Sequence, residues 1–445
     1  MNDTTFLESP AFTAALQAAR PERVGRVRSA VGLGLDVEGV QLAVGDVVEL
    51  GDRPAAQRVP AEVVAVRPDR TSCVLLAPFS DLAAGVPVRR APHAATAPVG
   101  AGLRGRVLDG LGRPIDGRGP LDIEGRVPLA NVPPVALDRA RIGTRLSTGV
   151  RVLDALVPLG RGQRIGLFAG SGVGKSSLLS MIARGSDAAL SVVALVGERG
   201  REVREFLEDD LGPEGLAGSV VVVATADEPA PMRLRAALLA TRIAEDQRDR
   251  GEDVVLMMDS LTRVAMAQRE IGLSAGEPPA TRGYPPSTFA VLARLLERAG
   301  TAASGSVTGI YTVLVDGDDH NEPVADAARS ILDGHVVLDR TLAVAGHFPA
   351  IDPLASVSRL ANRIVPAGGR AHATGLRRAL AARRQAQDLI DIGAYQAGAN
   401  PLVDRAIANE ARIDAFLRQG MDEPTPIDET DQRLADLARA LEEAA

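Results

Sequence analysis

The chain has 445 residues, of which 46% are apolar and 24% charged, the composition of a globular protein with room for two or three domains. Lysine and arginine total 50 against 57 aspartate and glutamate residues, so the net charge of −7 does not indicate a general nucleic-acid binder. The single cysteine, Cys73, excludes an internal disulfide, and no apolar stretch approaches the ~20 residues that span a bilayer.

Residues 1–22 carry apolar side chains at helical spacing, including Phe6, Leu7, Phe12 and Leu16, which favours a short amphipathic helix. Two interpretations stay open for this segment. It is either a disordered tail, since chain ends often lack structure, or a helix that docks on a partner. It has no basic region followed by an apolar one, so no signal peptide is indicated and a cytoplasmic location is expected.

Residues 23–93 are predicted to form a small β-barrel. Short apolar runs at 24–28, 40–44 and 61–66 are separated by Gly and Asp at the spacing typical of such barrels. Cys73 lies in an apolar run of this region, which predicts a buried structural thiol. The stretch 105–117 that follows is rich in turn residues and is interpreted as a connector into the next domain.

An α/β domain is predicted next, followed by helices. Val- and Leu-rich runs at 164–169, 190–196, 219–225, 254–258 and 307–315 alternate with helical segments, as expected for parallel strands buried on both faces. From about residue 368 the periodicity is helical. The predicted domains are therefore the tail 1–22, the barrel 23–93, a connector with the α/β domain 94–365, and a helical domain 366–445.

The strongest chemical signal is the stretch 169–176, Ala-Gly-Ser-Gly-Val-Gly-Lys-Ser, between the strand 164–168 and a helix predicted over 177–183. This context is that of a phosphate-binding loop, in which glycines let backbone N–H groups converge on phosphate at a helix N-terminus. Lys175 is expected to neutralise the β- and γ-phosphates, and Ser176 to bind Mg²⁺. Ala169 replaces the first glycine of the motif, which predicts a negative φ there.

Two carboxylates follow predicted strands. Asp259 ends the run 254–258, where it is expected to lie beside the phosphate-binding loop and hold Mg²⁺; a simple cap of the strand end is the alternative. Glu198 follows the run 190–196 and is placed to orient an attacking water, unless residues 198–202 are only a surface run of Glu and Arg. Residues 349–359 predict no more than a turn leading into a helix.

The segment 349–358, Pro-Ala-Ile-Asp-Pro-Leu-Ala-Ser-Val-Ser, nonetheless matches the signature of the α/β-subunit family of rotary ATP synthases. The chain resembles this family from about residue 24 to about residue 420. Residues 162–176, 278–287 and 332–338 look like the ATPases of bacterial type III protein export, and 392–398 look like their flagellar members. The resemblance implies a RecA-type P-loop ATPase core with a parallel sheet, preceded by a small barrel and followed by a helical domain.

The resemblance also implies a homohexamer with ATP sites between subunits, and a role for each matching residue. Glu198 positions the water, Arg199 contacts phosphate, and Asp259 lies by the metal, one helical turn before Arg263. Arg359 is implied to be an arginine finger supplied by the neighbouring subunit. Nucleotide contacts are implied for Gly170, Ser171, Gly172, Val173, Gly174, Lys175, Ser176, Ser177 and Phe348. Phe348 would face adenine, with an ordinary core phenylalanine as the alternative.

The function implied is Mg-ATP hydrolysis that energises type III export of flagellar proteins at the cytoplasmic face of a membrane export gate. The implied partners are a peripheral-stalk-like regulator at the N-terminus, a central stalk-like coiled coil, chaperone–substrate complexes and the export gate. Three alternatives stay open: an ATPase of an injectisome, a rotary ATP synthase subunit, and a hexameric RNA translocase. The acidic balance and the scarcity of aromatic residues disfavour an RNA-binding barrel.

Overall fold

The computed structural model describes residues 23–32, 34–52, 54, 57–77, 82–91, 96–315 and 322–443, so the helix predicted within 1–22 lies outside the described residues. The chain divides into two compact units, residues 1–95 and 96–445. The C-terminal helices belong to the second unit, and a domain boundary at residue 365 stays a prediction. Within the described residues, no helix combines the length and the apolarity needed to cross a membrane.

The described part of the first unit is a closed barrel of six strands in the order β1-β2-β5-β4-β3-β6, which confirms the predicted barrel. Its interior is lined by apolar side chains that include Val27, Val63 and Cys73. Burial, reinforced by the negative charge of Asp36, raises the pKa of the Cys73 thiol to about 12, so this cysteine is a structural residue as predicted. The strands are β1 (Gly25–Val31), β2 (Gly34–Glu38), β3 (Val47–Leu50), β4 (Val59–Val66), β5 (Thr71–Leu75) and β6 (Pro87–Arg90).

The strand predicted at 40–44 does not form. This run lies between Gly39 and Gly45, whose φ angles of +82° and +89° turn the backbone out of an extended path. Asp46 then accepts a hydrogen bond from the Ala43 N–H at 2.9 Å, which closes a turn immediately before β3. Turn chemistry at both ends therefore overrides the strand propensity of the apolar run.

The second unit contains a large sheet with helices on its faces. Its strands are β7 (Thr96–Val99), β8 (Val107–Asp109), β9 (Gly125–Pro128), β10 (Arg145–Leu146), β11 (Leu159–Gly160), β12 (Arg164–Ala169), β13 (Leu190–Glu198), β14 (Ser219–Thr225), β15 (Asp253–Asp259), β16 (Gly300–Thr301), β17 (Ser306–Leu314), β18 (Gly334–Leu338) and β19 (Ile351–Ser358). The five runs predicted as strands correspond to β12, β13, β14, β15 and β17.

The helices of this unit are α1 (Arg151–Leu156), α2 (Lys175–Gly185), α3 (Gly200–Glu205), α4 (Gly212–Ala217), α5 (Ala230–Asp249), α6 (Leu261–Ser274), α7 (Pro286–Glu297), α8 (Pro323–Ile331), α9 (Arg340–Val344), α10 (Ala361–Ile364), α11 (Ala367–Asp391), α12 (Pro401–Ala408), α13 (Glu410–Leu417) and α14 (Ile427–Glu443). A π-helical stretch, Phe206–Leu211, joins α3 to α4. Helices α11 to α14 fulfil the prediction of helical structure after residue 368.

The sheet order is β19-β18-β12-β17-β15-β13-β14-β8. The strands from β18 to β8 run parallel, and β19 runs antiparallel to β18. All parallel strands therefore end at the same side of the sheet, which we call the carboxyl edge, and begin at the opposite amino edge. The barrel, the parallel-sheet core and the C-terminal helices together confirm the predicted architecture.

Two sequence interpretations were wrong about local structure. The stretch interpreted as a connector, 105–117, contributes β8 to the edge of the sheet, where it pairs with β14. The stretch read as a turn into a helix, 349–359, forms β19 instead. Pro353 does not prevent this strand, because it lies on an edge strand, where a missing N–H donor is tolerated.

A buried arginine joins α1 to the end of α13. The Arg151 side chain is 6% exposed and donates hydrogen bonds to the carbonyls of Phe416 and Arg418 and to the Thr425 hydroxyl. The last carbonyls of a helix lack partners within the helix, and a cation satisfies both their hydrogen bonds and the helix dipole. This contact fixes the end of α13 and the segment after it to helix α1.

We expect Arg151→Ala to lower the free energy of unfolding by about 2 kcal/mol or more, because buried carbonyls lose their donor. Urea unfolding followed by far-UV circular dichroism measures the change. Arg439→Ala is the matched control, since Arg439 is exposed on α14 and, among the described residues, forms its ion pair with the exposed Asp436. Its effect should stay below about 0.5 kcal/mol. Equal midpoints for the two variants would contradict the role of Arg151.

Candidate active site

The predicted phosphate-binding loop lies at the carboxyl edge, between β12 and α2. Helix α2 starts at Lys175, two residues earlier than predicted, so Lys175 and Ser176 occupy its first turn. Gly172 and Gly174 have φ angles of +77° and +89°, which side chains other than glycine rarely adopt. The free N–H groups of this turn and the helix dipole form a cradle suited to phosphate.

The alanine at the start of the motif is explained by its position. Ala169 is still the last residue of β12, is 2% exposed, and packs in the hydrophobic core of the sheet. The position where space favours glycine is the next one, Gly170. A Cβ added to Gly170 would lie 3.0 Å from Nη2 of Arg340, whose guanidinium also donates to the Ser171 carbonyl at 3.4 Å.

The central contact of the site joins Lys175 to two carboxylates from neighbouring strands. Lys175 Nζ lies 2.6 Å from Asp259 Oδ1 and 3.3 Å from Glu198 Oε1. The Thr312 hydroxyl of β17 donates to the same Asp259 oxygen at 2.8 Å. The structure thus brings together Lys175, Glu198 and Asp259, as the sequence predicts. Lys175 is also the only lysine in the sequence, all other long basic side chains being arginines.

A β-bulge aims Glu198 at the lysine. The pairing of β13 with β14 shifts register between Val196 and Glu198, with Gly197 at a φ of +72°. Bulges of this kind redirect a side chain at the end of a strand. A Cβ on Gly197 would lie 3.0 Å from Cβ of Arg263, so glycine also allows α6 to approach. Arg263 Nε has no hydrogen-bond partner among the described residues.

The charges of the site perturb one another. Burial by itself would lower the pKa of Lys175, but the charges of Asp259 and Glu198 outweigh it and raise that pKa above the ordinary 10.5. Burial, together with repulsion from Asp259, raises the pKa of Glu198 above its ordinary value of 4.5. Lys175 is therefore firmly charged, and Glu198 is a carboxylate of increased basicity beside it.

The donor set around Asp259 fits a magnesium ion that arrives with a nucleotide. The described residues contain no group of three His, Cys, Asp or Glu side chains that could hold a metal by themselves. Mg²⁺ is typically held by one or two protein oxygens together with phosphates and water. Asp259 is 2% exposed, and Ser176 is half-buried in the first turn of α2, so their oxygens are the natural candidates.

Phe348 lies beside the loop and not in the core. Its side chain is 46% exposed, and a Cβ on Gly174 would lie 3.3 Å from its ring. The backbone around Phe348 is held by the end of the C-terminal helix α13. The Gln419 N–H donates to the Phe348 carbonyl at 2.9 Å, and Arg418 Nη1 donates to the Gly346 carbonyl at 2.8 Å. An exposed ring in this place is available to a flat ligand above the loop.

Arg199 is separate from the central contact. Its side chain is 78% exposed and lies 3.4 Å from Glu202 at the start of α3. The same helix continues with Arg204 paired to Glu208 at 2.8 Å. Glu198 therefore faces Lys175, whereas the Arg and Glu residues that follow it form ion pairs at the surface.

Arg359 lies at the opposite side of the sheet from the loop. Its N–H donates to the Asp333 carbonyl, and the Asp333 N–H donates to the carbonyl of Arg164, the first residue of β12. The phosphate-binding loop begins six residues later, ~20 Å along the strand at ~3.3 Å per residue. This separation places Arg359 beyond reach of the loop of its own chain.

Two residues near the loop escaped the sequence analysis. Thr312 lies inside β17 and resembles any buried strand residue, so only the pairing of β17 with β15 reveals its bond to Asp259. Arg340 follows β18, a strand that the residue pattern did not single out. The general rule that functional residues follow the carboxyl ends of parallel strands would have found Arg340 once β18 was known.

Two family models match the second unit. Residues 149–358 match the ATP synthase alpha/beta family, nucleotide-binding domain, and residues 365–436 match the T3SS EscN ATPase C-terminal domain. The "Flagellum-specific ATP synthase" of Bacillus subtilis (strain 168) is 48% identical over 422 residues, covering 94% of this chain and 95% of the relative. The "Type 3 secretion system ATPase" of Xanthomonas euvesicatoria is 46% identical over 431 residues, covering 96% and 97%.

A solved structure agrees with these relatives. The assembled ATPase EscN in complex with its central stalk EscO, from the enteropathogenic E. coli type III secretion system, superposes with a TM-score of 0.86. Its sequence is 40% identical, and the match covers 93% of this chain and 100% of that chain.

We expect the Lys175 ammonium to remain protonated above pH 10.5 in the nucleotide-free protein, because Asp259 and Glu198 stabilise its charge. Asp259→Asn removes the nearer carboxylate. Burial of the ammonium is then less fully compensated, so the pKa of Lys175 should fall. Since Lys175 is the sole lysine, selective ¹³Cε-lysine labelling gives one side-chain signal whose shift reports this titration.

Asp253→Asn is the matched control, because Asp253 lies at the other end of β15 and pairs with Arg161. It should leave the titration of Lys175 unchanged. Identical titrations in wild type and Asp259→Asn would show that the 2.6 Å contact does not govern the charge of Lys175.

Proposed function

The chain belongs to the ATP synthase alpha/beta family, in its type III secretion branch, and is an ATPase; on this premise we propose that it hydrolyses Mg-ATP between neighbouring copies to energise export of flagellar proteins. The observation that carries the proposal is the contact of Lys175 with Asp259 and Glu198 at the end of the phosphate-binding loop.

Binding of ATP requires Lys175 to change partners. In the nucleotide-free site its charge is compensated by Asp259 and Glu198. The β- and γ-phosphates would take the backbone donors of residues 170–176 and attract Lys175 Nζ away from the carboxylates. Ser177 lies in the same first turn of α2, and Phe348 would cover the adenine. Both side chains lie next to the loop, which supports these roles.

Hydrolysis breaks the bond between the γ-phosphorus and the β–γ bridging oxygen as a water oxygen attacks. Glu198, released from Lys175, orients and polarises this water, and its raised pKa makes it a better proton acceptor. Ser176 and Asp259 would hold Mg²⁺, which supplies charge neutralisation on the phosphates when bound. Arg199 would need to turn from Glu202 to contact phosphate.

We infer that a further positive charge comes from another copy. Arg359 lies at the amino edge, exposed, and pairs with no carboxylate of the described residues. A cation that cannot reach its own loop is available for the loop of a neighbour, as an arginine finger that stabilises the transition state. We therefore infer a ring of identical subunits, and the symmetry that the resemblance implies is hexameric.

The proposed partners follow from the relatives. The similar EscN chain is described as assembled and in complex with its central stalk EscO, which supports a ring around a coiled-coil stalk here. A peripheral-stalk-like regulator on residues 1–22, chaperone–substrate complexes, and a place at the cytoplasmic face of the export gate remain proposals from the resemblance. Residues 392–398 and the flagellar relatives favour flagellar export over an injectisome.

Glu198→Gln should lower the ATPase kcat by about 10²–10⁴-fold while ATP binding persists, because the carboxylate acts only on the water. Steady-state phosphate release and equilibrium nucleotide binding separate the two effects. Glu208→Gln is the control, being the same substitution on the exposed surface. Hydrolysis at the wild-type rate in Glu198→Gln would refute the mechanism.

Mixing tests the shared site. Arg359→Ala subunits retain the loop side, and Glu198→Gln subunits retain the finger side, so mixed rings should recover activity that neither variant has alone. A mixture of Glu198→Gln with Lys175→Ala should recover none, because both changes disable the same half. Absence of recovery at every ratio in the first mixture argues against a site shared between copies.

In the source organism, Lys175→Ala should abolish flagellin secretion and swimming, with flagellin retained in the cell. The physical reason is the loss of the only ammonium that neutralises the phosphates. Glu208→Gln again serves as the control and should leave filaments normal. Normal filaments with Lys175→Ala would leave the ATPase chemistry intact and assign the protein to another export machine.

A further inference from the structure

We propose that Gln163 is a positioning residue for Arg359: its buried amide fixes the backbone from which the arginine reaches the nucleotide of a neighbouring copy. The inference rests on the proposed shared site and adds to it a residue that acts only through the finger. Gln163 immediately precedes β12, at the amino edge, so it lies far from the loop that β12 carries at its other end.

The Gln163 side chain is fully enclosed and fully used. It is 0% exposed. Its Nε2 donates to the Asp333 carbonyl at 3.1 Å and to the Ser358 hydroxyl at 3.2 Å, and its Oε1 accepts from the Gly160 N–H at 2.9 Å. A buried amide with both N–H groups satisfied tolerates little displacement of its partners, since any lost bond leaves an uncompensated polar group.

Both partners of the amide N–H groups belong to the base of the finger. Ser358 is the residue before Arg359, and the Asp333 carbonyl also accepts the N–H of Arg359 at 3.0 Å. Asp333 is itself held from two sides, because its N–H donates to the Arg164 carbonyl at 2.8 Å and its carboxylate accepts from the Arg164 N–H at 3.0 Å. Gln163 thus joins the start of β12 to the end of β19.

The other end of the arginine has its own support. Nη2 of Arg359 donates to the carbonyl of Arg329 in the last turn of α8 at 3.1 Å. The backbone and the guanidinium are therefore both held before a neighbour arrives. A preorganised charge is effective because no free energy of ordering is needed during the reaction. A displacement of such a group by ~1 Å can lower the rate by ~10²-fold.

A purely structural role is the competing explanation, since buried glutamines also join sheet edges. The two differ in which half of the shared site they affect. Loss of a structural bond at the start of β12 would disturb the loop at the end of the same strand. Loss of finger positioning would leave the loop, Lys175 and Glu198 intact and would act only on the neighbour.

The experiment places Gln163→Ala in one of two complementation groups. We expect its kcat to fall by ~10–100-fold while the KM for ATP changes less than about threefold. Mixed with Glu198→Gln, which has an intact finger, Gln163→Ala should regain activity. Mixed with Arg359→Ala, it should regain none, because both changes disable the same half.

Two further variants keep the test decisive. Gln268→Ala is the matched control, since Gln268 is another buried glutamine whose Nε2 bonds a serine, Ser287, at 3.1 Å, and its kcat should stay within about twofold of wild type. Ser358→Ala removes the hydroxyl that Gln163 binds. It replaces Gln163→Ala if that variant melts at a lower temperature than Gln268→Ala, and should fall in the same complementation group.

The outcomes separate this inference from the shared site itself. If Gln163→Ala is rescued by Arg359→Ala and not by Glu198→Gln, or if its kcat equals that of wild type, the positioning role is wrong while the shared site stands. If Arg359→Ala and Glu198→Gln fail to rescue each other, the shared site is wrong and the inference falls with it.

Discussion

The parallel alignment of β18, β12, β17, β15 and β13 is the constraint on which the rest of the structure depends. Parallel strands end together, so side chains far apart in sequence meet at one edge. Lys175, Glu198 and Asp259 meet there within 3.3 Å although 84 residues separate the first from the last. Strand β19 runs antiparallel to β18 and carries the chain back to the amino edge, where Arg359 follows it. In the proposed mechanism, the sheet therefore provides both halves of a reaction site without bringing them together in one copy.

The charges at the carboxyl edge compensate one another. Isolated ions are costly to bury, and a buried cation left without its partner is strongly destabilising. Lys175 meets two carboxylates, and Asp259 also accepts a hydrogen bond from Thr312, so these side chains form a cluster of compensated charges. The phosphates of ATP can compete for Lys175 because an ammonium is a compact charge on a flexible stem. An arginine binds carboxylate or phosphate through a fixed planar fork, whereas the three donors of an ammonium rotate freely, and this position carries the one lysine of the sequence.

The sequence predicted what local chemistry determines. The glycine-rich motif before a helix predicted the loop and Lys175. The acidic residue after an apolar run predicted Asp259, and the apolar runs predicted five strands of the core. It could not predict what tertiary pairing decides. Thr312 matters only because β17 neighbours β15, and β19 forms because an edge strand tolerates Pro353. The role expected of Arg359 came from the resemblance, and no residue pattern could reveal how far Arg359 lies from the loop. The apolar run 40–44 has the composition of a strand, but the flanking glycines turn the backbone and no strand forms.

Strand β12 gives these separate features a common physical basis. Gln163, just before β12, and Arg164, its first residue, hold the backbone on either side of Arg359. Its last residue, Ala169, leads into the phosphate-binding loop. A strand buried on both faces and paired on both sides is among the least deformable parts of a protein. In the proposed ring, the loop of one copy and the arginine that it would offer to the next are therefore fixed to the same rigid element, with β17 and β18 as its neighbours. In that ring, any movement of β12 at one nucleotide site would also move the arginine that faces the adjacent site, so the proposed sites would be coupled through this strand.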